Sequence, residues 1–449
     1  MADIFEEFVE EINHLIEHGD IEQVKNKVSE AKPADIAFLL RRFKLEERKV
    51  IFDHIKDEEK KAEVLSELED NEIEDLLEDK EPTQIASILA THDSDDVADV
   101  INALSDEKQK EVLREMDSEE SEELTELLRY DEDSAGGIMN PIVFKMIEDL
   151  TVKEAIEKVN EAKEYETVFY IYIIDDHDRL TGVVSLRELI LAKSSDRLGD
   201  IMSEEIVHVD VDEDQEEVAR LVSRYNYLAV PVVDYDHKLV GIITVDDVID
   251  VLRDEATEDI LKMAGSTHEE LSSKDSFKSA KSRLPWLFVC WIQGILAIKL
   301  IGAFEETLQT YVALAAFIPI INGMSGNVGA QSVALMVRGL STKKIAIDQA
   351  WGIIFKEFRV GIIMGIAYAG LLSVLAIFQY PEIVNLGYVV GISLFASMVL
   401  GTLIGAIIPI FLESIKIDPA IASGPFVTTS IDLLAVLLFF SCANLLLPL

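Results

Sequence analysis

Between residue 284 and residue 449 five apolar stretches follow one another, at 284–303, 311–336, 351–378, 384–412 and 425–447. A helix of about 20 apolar residues crosses the hydrocarbon core of a bilayer, so each stretch is long enough to span it. Lipid offers the backbone no hydrogen bonds, which leaves helices or closed barrels as the structures that survive there. Residues 284–449 are therefore expected to form a five-helix transmembrane domain.

The charge distribution separates this domain from the rest. The chain has 84 acidic and 40 basic residues, but from residue 284 onward eight acids stand against seven bases. The first 283 residues thus hold 76 acids and 33 bases, and read as an acidic soluble region. Phosphate neutralisation needs Lys and Arg, so nucleic acid is excluded as a partner. The natural partners of such a surface are cations, with solubility alone as the bland alternative. The two cysteines, Cys290 and Cys442, both fall in apolar stretches and suggest neither a disulfide framework nor a thiolate zinc site. The start, "MADIFEEFVEE", is acidic and amphipathic, unlike a signal peptide.

Basic residues in short loops set orientation. Lys274, Lys278, Lys281 and Arg283 precede the first span, and Arg338, Lys343 and Lys344 lie in the second loop. The first and third loops, "FEETLQ" and "QYPEIVN", have neither Lys nor Arg. The N-terminal region and the second and fourth loops are expected in the cytoplasm, and the C-terminus outside.

Polar residues interrupt the spans. The second reads "FIPIINGMSGNVGAQSVALM", which places Pro319, Asn322, Gly323, Gly326, Asn327, Gly329 and Gln331 at membrane depth and suggests freed backbone carbonyls on a packed or watery interior. Gly361 and Gly365, and Gly401 and Gly405, have the small-xxx-small spacing of closely approaching helices. In the last span Asp432 has no Lys, Arg or His within thirteen residues on either side. An aspartate at mid-membrane costs about 2.5–3.5 kcal/mol on insertion scales and normally faces a cavity on an ion route. Thr428 and Thr429, one turn earlier, and Ala435, one turn later, give it a small, partly hydroxylated surround. Asn322, Gly326 and Asn327 of the second span complete the expected pore lining; a hydrogen bond from Asp432 to an amide on another span is the structural alternative. One carboxylate cannot enclose a divalent ion. Two copies about a two-fold axis would supply two, and Mg2+ keeps several waters while accepting one or two carboxylates.

Residues 1–130 read as short amphipathic helices separated by turn signals at Gly19-Asp20, Lys32-Pro33 and Glu81-Pro82, an all-α superhelical arrangement. Residues 131–253 carry an internal repeat: "VFYIYIIDDHDRLTGVVSLRELI" (168–190) aligns without gaps with "YLAVPVVDYDHKLVGIITVDDVI" (227–249), 59 positions on. Each copy is strand, acidic turn, strand from Gly182 or Gly241, then helix, preceded by Ile138-Met139 or Ile201-Met202. The layout resembles a tandem pair of α+β CBS domains, 139–200 and 201–253, which implies a regulatory module able to take ATP or another adenine nucleotide. Residues 254–283 form a connector, read either as a link from sensor to pore or as a passive tether.

The whole order, with "YDEDSAGGIMNP" (130–141), "QEEVARL" (215–221), "TVDDVIDVL" (244–252), "EATEDI" (255–260), "GNVGAQS" (326–332) and "TTSID" (428–432), resembles the MgtE family of magnesium channels. The resemblance implies a homodimer in the cell membrane that passes Mg2+ and is held closed when cytosolic Mg2+ bridges acidic surfaces. Matched by position, Asp432 is the pore aspartate. Glu63, Asp95, Asp96 and Asp99 are the regulatory acids of the helical domain, Glu216, Asp247 and Asp250 those of the CBS pair, and Glu255, Glu258 and Asp259 those of the connector. Two positions depart from the pattern: Ala435 stands where a glycine is common, and Ala330 where some members have a polar residue. An ion-coupled secondary transporter of divalent cations is the alternative, but such transporters more often show duplicated membrane halves, and no repeat is evident among the five spans. An enzyme is disfavoured because no second deep acid, histidine or nucleophile accompanies Asp432, and no phosphate loop is present.

Overall fold

The computed structural model describes residues 2–448 except 19, 91, 163–167, 268–269, 271–275, 346–349 and 423–424. The chain divides into two units, Met1–Asp254 and Glu255–Leu449.

In the first unit, among the described residues, ten helices run from Ala2–Glu17 to Ser118–Leu127. Prolines at the starts of Pro33–Arg42 and Pro82–Leu89 open helices where the sequence signalled turns, since a missing N–H is harmless in the first turn. Gly19 lies outside the described residues, while Asp20 caps Ile21–Glu30 by accepting from the Gln23 N–H at 3.3 Å. Each helix is too short to bury its apolar face alone. Pro33–Arg42 packs on Glu58–Ser66, which packs on Pro82–Leu89, which packs on Asp106–Glu115. This second-neighbour stacking is what winds a superhelix.

The 59-residue repeat carries through to the backbone. β1 (Lys145–Ile147), β2 (Tyr170–Ile174) and β3 (Leu180–Ser185) form one sheet, and β4 (Val209–Asp210), β5 (Ala229–Val233) and β6 (Leu239–Thr244) the other. In both, the first pair is parallel and the second antiparallel, with a bulge at Ile173/Ile174 and again at Val232/Val233. The two copies also exchange a side chain. A Cβ on Gly241 would lie 2.6 Å from the Met139 sulfur, and one on Gly182 would strike the Met202 sulfur. Each Ile-Met element therefore docks in the other copy, and the glycine that starts each second strand makes room for its thioether.

In the second unit, among the described residues, five helices are long and apolar enough to cross a membrane: Ser276–Gly302, Val312–Ser341, Ala350–Gln379, Leu386–Ser414 and Phe426–Leu446. The second span is less broken than its sequence suggests. Its entry, Val312–Ala316, is a 3-10 turn, but Ile318–Ser341 is one continuous helix because Pro319 sits in its first turn. The glycine pairs act by close approach. A Cβ on Gly401 would lie 2.7 Å from the Ser325 carbonyl oxygen, and one on Gly405 2.5 Å from that of Gly329, so second and fourth spans touch backbone to backbone. Gly361 and Gly365 likewise face Thr402 and Phe395 of the fourth span.

Because backbone cannot move aside as a side chain can, Gly401→Ala should destabilise the bundle by roughly 1–3 kcal/mol. Gly370→Ala, whose Cβ would meet nothing within 4 Å, should be neutral or slightly stabilising. Detergent-resistant unfolding of the two purified variants measures the difference.

Candidate functional site

Five of the seven acidic residues matched in the first unit gather near one helix start. Ser94–Asn102 carries Asp95, Asp96 and Asp99, and Asp247 lies in the first turn of the helix Val245–Ala264. Asp247 is there for a local reason: its carboxylate accepts from the Thr244 N–H at 3.2 Å and the Thr244 hydroxyl at 2.6 Å, which caps the helix. The same carboxylate faces the other acids. Burial first, then Asp247, Asp96 and Asp93, hold the Asp95 carboxyl well above the ordinary range, and its buried Oδ1 has no hydrogen-bond partner. Asp99 reaches solvent, yet desolvation and then Asp96 and Asp247 push it up to about 7. Burial also lifts Asp247 to about 6, against the lowering effect of its Thr244 bonds. His92 pairs with Asp96 at 3.1 Å. Burial alone would lower the His92 pKa, but Asp96, Asp93 and Glu63 outweigh it and raise it. Glu63, Asp95, Asp96, Asp99 and Asp247 thus share one field.

The other matched acids do not join them in this way. Glu216 pairs with Arg220 on its own helix, and Asp250 is exposed, with Arg253 at 3.8 Å. Among the described residues no three carboxylate or imidazole side chains converge tightly enough to hold a metal ion by themselves.

In the second unit the connector acids meet partners that sequence reasoning missed. Glu258 lies 2.6 Å from the Lys262 ammonium, which also reaches Asp418, in the loop before the last span, at 2.8 Å. Burial would lower the Lys262 pKa, but Asp418 and Glu258 together raise it. Asp259 has Arg338 at 4.0 Å, and its pKa is raised by burial and further by Asp418. Glu255 sits one turn earlier on the same helix. The Glu258/Lys262 spacing of four residues was visible in sequence; the approach of Asp418 was not.

In the membrane bundle, Thr428 and Asp432 lie one turn apart on the last span and face Gly326 of the second. A Cβ on Gly326 would lie 3.0 Å from the Thr428 methyl and 3.3 Å from Asp432 Oδ1. Asp432 Oδ1 is buried without a hydrogen-bond partner, and so is Oδ1 of Asn322, one turn before Gly326. Asn327 is exposed on the single chain. Two expected lining residues are placed differently. Ala435 is 1% exposed within the apolar core, packed with residues such as Val436 and Phe439. The Thr429 hydroxyl donates to Gln293 of the first span, a residue not expected at the site.

Five helices long and apolar enough to cross a membrane, one of them with an unpartnered carboxylate oxygen, in a chain that also carries a helical domain and a CBS-type repeat, mark a multi-pass membrane protein. Comparison with known proteins narrows the class. Residues 31–133 match the MgtE intracellular N domain, 135–195 and 198–254 the CBS domain, and 318–442 the MgtE divalent cation transporter family. The magnesium transporter MgtE of Bacillus subtilis is 41% identical over 319 residues, 71% of this chain and 70% of that protein. That of Thermus thermophilus is 38% identical over 325 residues, 72% of each chain. A crystal structure of the cytosolic domain of the Mg2+ channel MgtE in complex with ATP matches 54% of this chain and 99% of its own, at 37% identity and a TM-score of 0.51. The chain belongs to the MgtE family of magnesium transporters.

The raised carboxyls give the first unit a pH dependence of definite sign. Folded Asp99 and Asp247 titrate at about 7 and about 6, above the ordinary carboxylate, so the folded unit binds more protons than the unfolded chain. Their favourable effect is full below about pH 4 and is lost as pH rises through those values. In the full chain without divalent ions, amide exchange in Ser94–Asn102, corrected for intrinsic rates, should be faster at about pH 8 than at about pH 5. Asp95→Asn/Asp99→Asn should flatten the profile; an unchanged profile would refute this account of the cluster.

Proposed function

We propose that this chain is a Mg2+ channel of the cell membrane that works as a homodimer, with Asp432 of the two copies facing one pore. The observation that carries the reading is the buried, unpartnered Oδ1 of Asp432 beside Gly326, one turn from Thr428. The Asn322 oxygen is a second unpartnered acceptor on the facing helix. Both atoms are acceptors, and the groups that a hydrated cation offers are water donors. A cation that keeps its waters, as Mg2+ does, is therefore suited to two such carboxylates without being stripped. The Lys and Arg residues flanking the first span and in the second loop support a cytoplasmic N-terminal region and an outward end of the last span.

Gating by cytosolic Mg2+ follows from the acidic cluster. Glu63, Asp95, Asp96, Asp99 and Asp247 repel one another when ionised, and a divalent cation between them replaces repulsion with attraction. Glu216 and Asp250 add to the same negative surface. Glu255, Glu258 and Asp259 would carry the closed state to the membrane domain. High cytosolic Mg2+ draws the acidic surfaces together and closes the pore; low Mg2+ releases them. The CBS pair is assigned an adenine nucleotide on the strength of the solved relative's ATP complex.

Patch-clamp recording with Mg2+ as the sole permeant cation tests both parts. Raising cytosolic Mg2+ should close the channel, and currents indifferent to it would remove the gating proposal. Asp432→Ala should cut Mg2+ current about tenfold or more, as expected from losing a charge-assisted contact of about 1.5–3 kcal/mol. An unchanged Mg2+ conductance would remove the pore role. Asp95→Asn/Asp99→Asn should abolish the dependence on cytosolic Mg2+ while Asp432 still conducts.

A further inference from the structure

The first span, Ser276–Gly302, buries none of its described residues within the single chain and packs chiefly on the last span. In that apolar contact Gln293 grips two consecutive hydroxyls. The Thr429 hydroxyl donates to the Gln293 carbonyl, and the Gln293 amide donates to the Ser430 hydroxyl oxygen at 3.2 Å. The polarity is self-consistent: Ser430 gives its own proton to the Phe426 carbonyl at 2.7 Å, which leaves its oxygen to accept. Both ends of the amide are thereby matched to complementary groups. Lipid supplies no substitutes, so the amide is not readily released.

This grip fixes an angle. Successive residues of a helix are about 100° apart, so Thr428 and Asp432 lie about 40° apart, with Thr429 about 60° and Ser430 about 160° round the helix from Asp432. On the side of Asp432 the second span presents Gly326, which has no side chain of its own to grip the helix, and the bonds from Thr307 to Asn444 and from Asn385 to the Leu446 carbonyl lie at the far end of the span. The first span, by contrast, is one helix that begins at Ser276 within the connector, and its Arg283 pairs with the connector's Glu270. We propose that Gln293 is a positioning residue: it sets the rotation of the last span, hence the direction of Asp432, and passes movement of the first span to the conducting helix. The inference rests on Asp432 as the pore carboxylate, and it gives the Thr429 hydroxyl a part in holding the helix.

The test uses the full-length protein in proteoliposomes, with Cys290 and Cys442 replaced by Ala and Thr428→Cys added as a reporter for a water-soluble thiol reagent. Gln293→Leu, which keeps bulk but loses both bonds, should slow labelling at position 428 about threefold to tenfold, the effect of losing an interhelical hydrogen bond. Thr429→Val with Ser430→Ala, which removes both partners, should slow it similarly, and adding Gln293→Leu to that pair should change little more, because both remove the same grip. In Mg2+ flux measurements the cytosolic Mg2+ concentration that half-closes the channel should shift by a similar factor in both variants. Equal labelling rates in Gln293→Leu and its parent, or additive effects of Gln293→Leu and the Thr429/Ser430 pair, would overturn the proposal. The flux measurements use the same substitutions with Thr428 retained, and a protein with Thr428 that passes no Mg2+ would instead overturn the channel reading on which the role of Asp432 rests, while the labelling rates would still decide the part played by Gln293.

Discussion

A carboxylate taken out of water needs a positive partner, and this chain supplies one internally at several places. Glu72, 9% exposed in the helical stack, receives Arg41 at 3.2 Å and Arg48 at 3.1 Å. Glu216 has Arg220, and Lys262 serves both Glu258 and Asp418. Two settings are treated otherwise. Asp95, Asp99 and Asp247 are desolvated among one another, and Asp432 is placed in a membrane helix with one oxygen unpartnered. Removing one member of a buried ion pair is strongly destabilising, so a fold that pairs its acids elsewhere has reason to pair these too. That they are left to protons or to ions from solution is the shared basis of the pore and gating proposals.

The bundle that presents Asp432 is held by the absence of side chains as much as by their presence. Without water to drive apolar surfaces together, membrane helices gain from close van der Waals contact. Gly401 and Gly405 let the fourth span touch the second at backbone distance, and Gly326 lets the last span bring Thr428 and Asp432 against it. Such contacts specify distance well and rotation poorly, since a glycine offers nothing to grip. Rotation must come from directional bonds: among the described residues these include Gln293 to Thr429 and Ser430 near Asp432, Thr307 to Asn444 and Asn385 to the Leu446 carbonyl at the far end of the last span, and Ser332 to Glu357 at 2.7 Å between second and third spans.

Much of this was legible in the sequence wherever the information is local. Five apolar lengths, the proline helix starts and the 59-residue repeat all report on neighbouring residues, and the repeat recurs even to its paired bulges. Asp432 stood out because a charge among apolar residues is itself a local contrast. What could not be read is which faces meet across the bundle. Lys262 and Asp418 are 156 residues apart, and Gln293 and Ser430 are 137 apart. Ala435 looked like part of the ion path because it lies one turn from Asp432, yet helical spacing fixes an angle only to within a face. The packed core claimed that edge of it. Pro319 was misread for the opposite reason: the residue was right, but its position in the first helical turn makes it a start and not a break.

Comparison of the two CBS copies isolates what raises the pKa of an acid that has the same structural role in both. Ser185 and Glu188 in the first copy correspond, 59 residues on, to Thr244 and Asp247 in the second, and each pair makes the same cap of hydroxyl and N–H to carboxylate. The bonds are alike but the titration is opposite. Glu188 is exposed, and the Ser185 bonds hold its pKa below the ordinary value. Asp247 has the same lowering bonds, yet burial and the acids around it carry it up to about 6. The cap therefore explains why an acid stands at this position in both copies, and burial, then Asp246 where the first copy has Arg187, and Asp96 on the neighbouring helix explain why only the second is raised. A helix cap is retained for folding whatever lies opposite it. Burying one such cap beside further aspartates is enough to raise its carboxyl while the capping bonds stay the same.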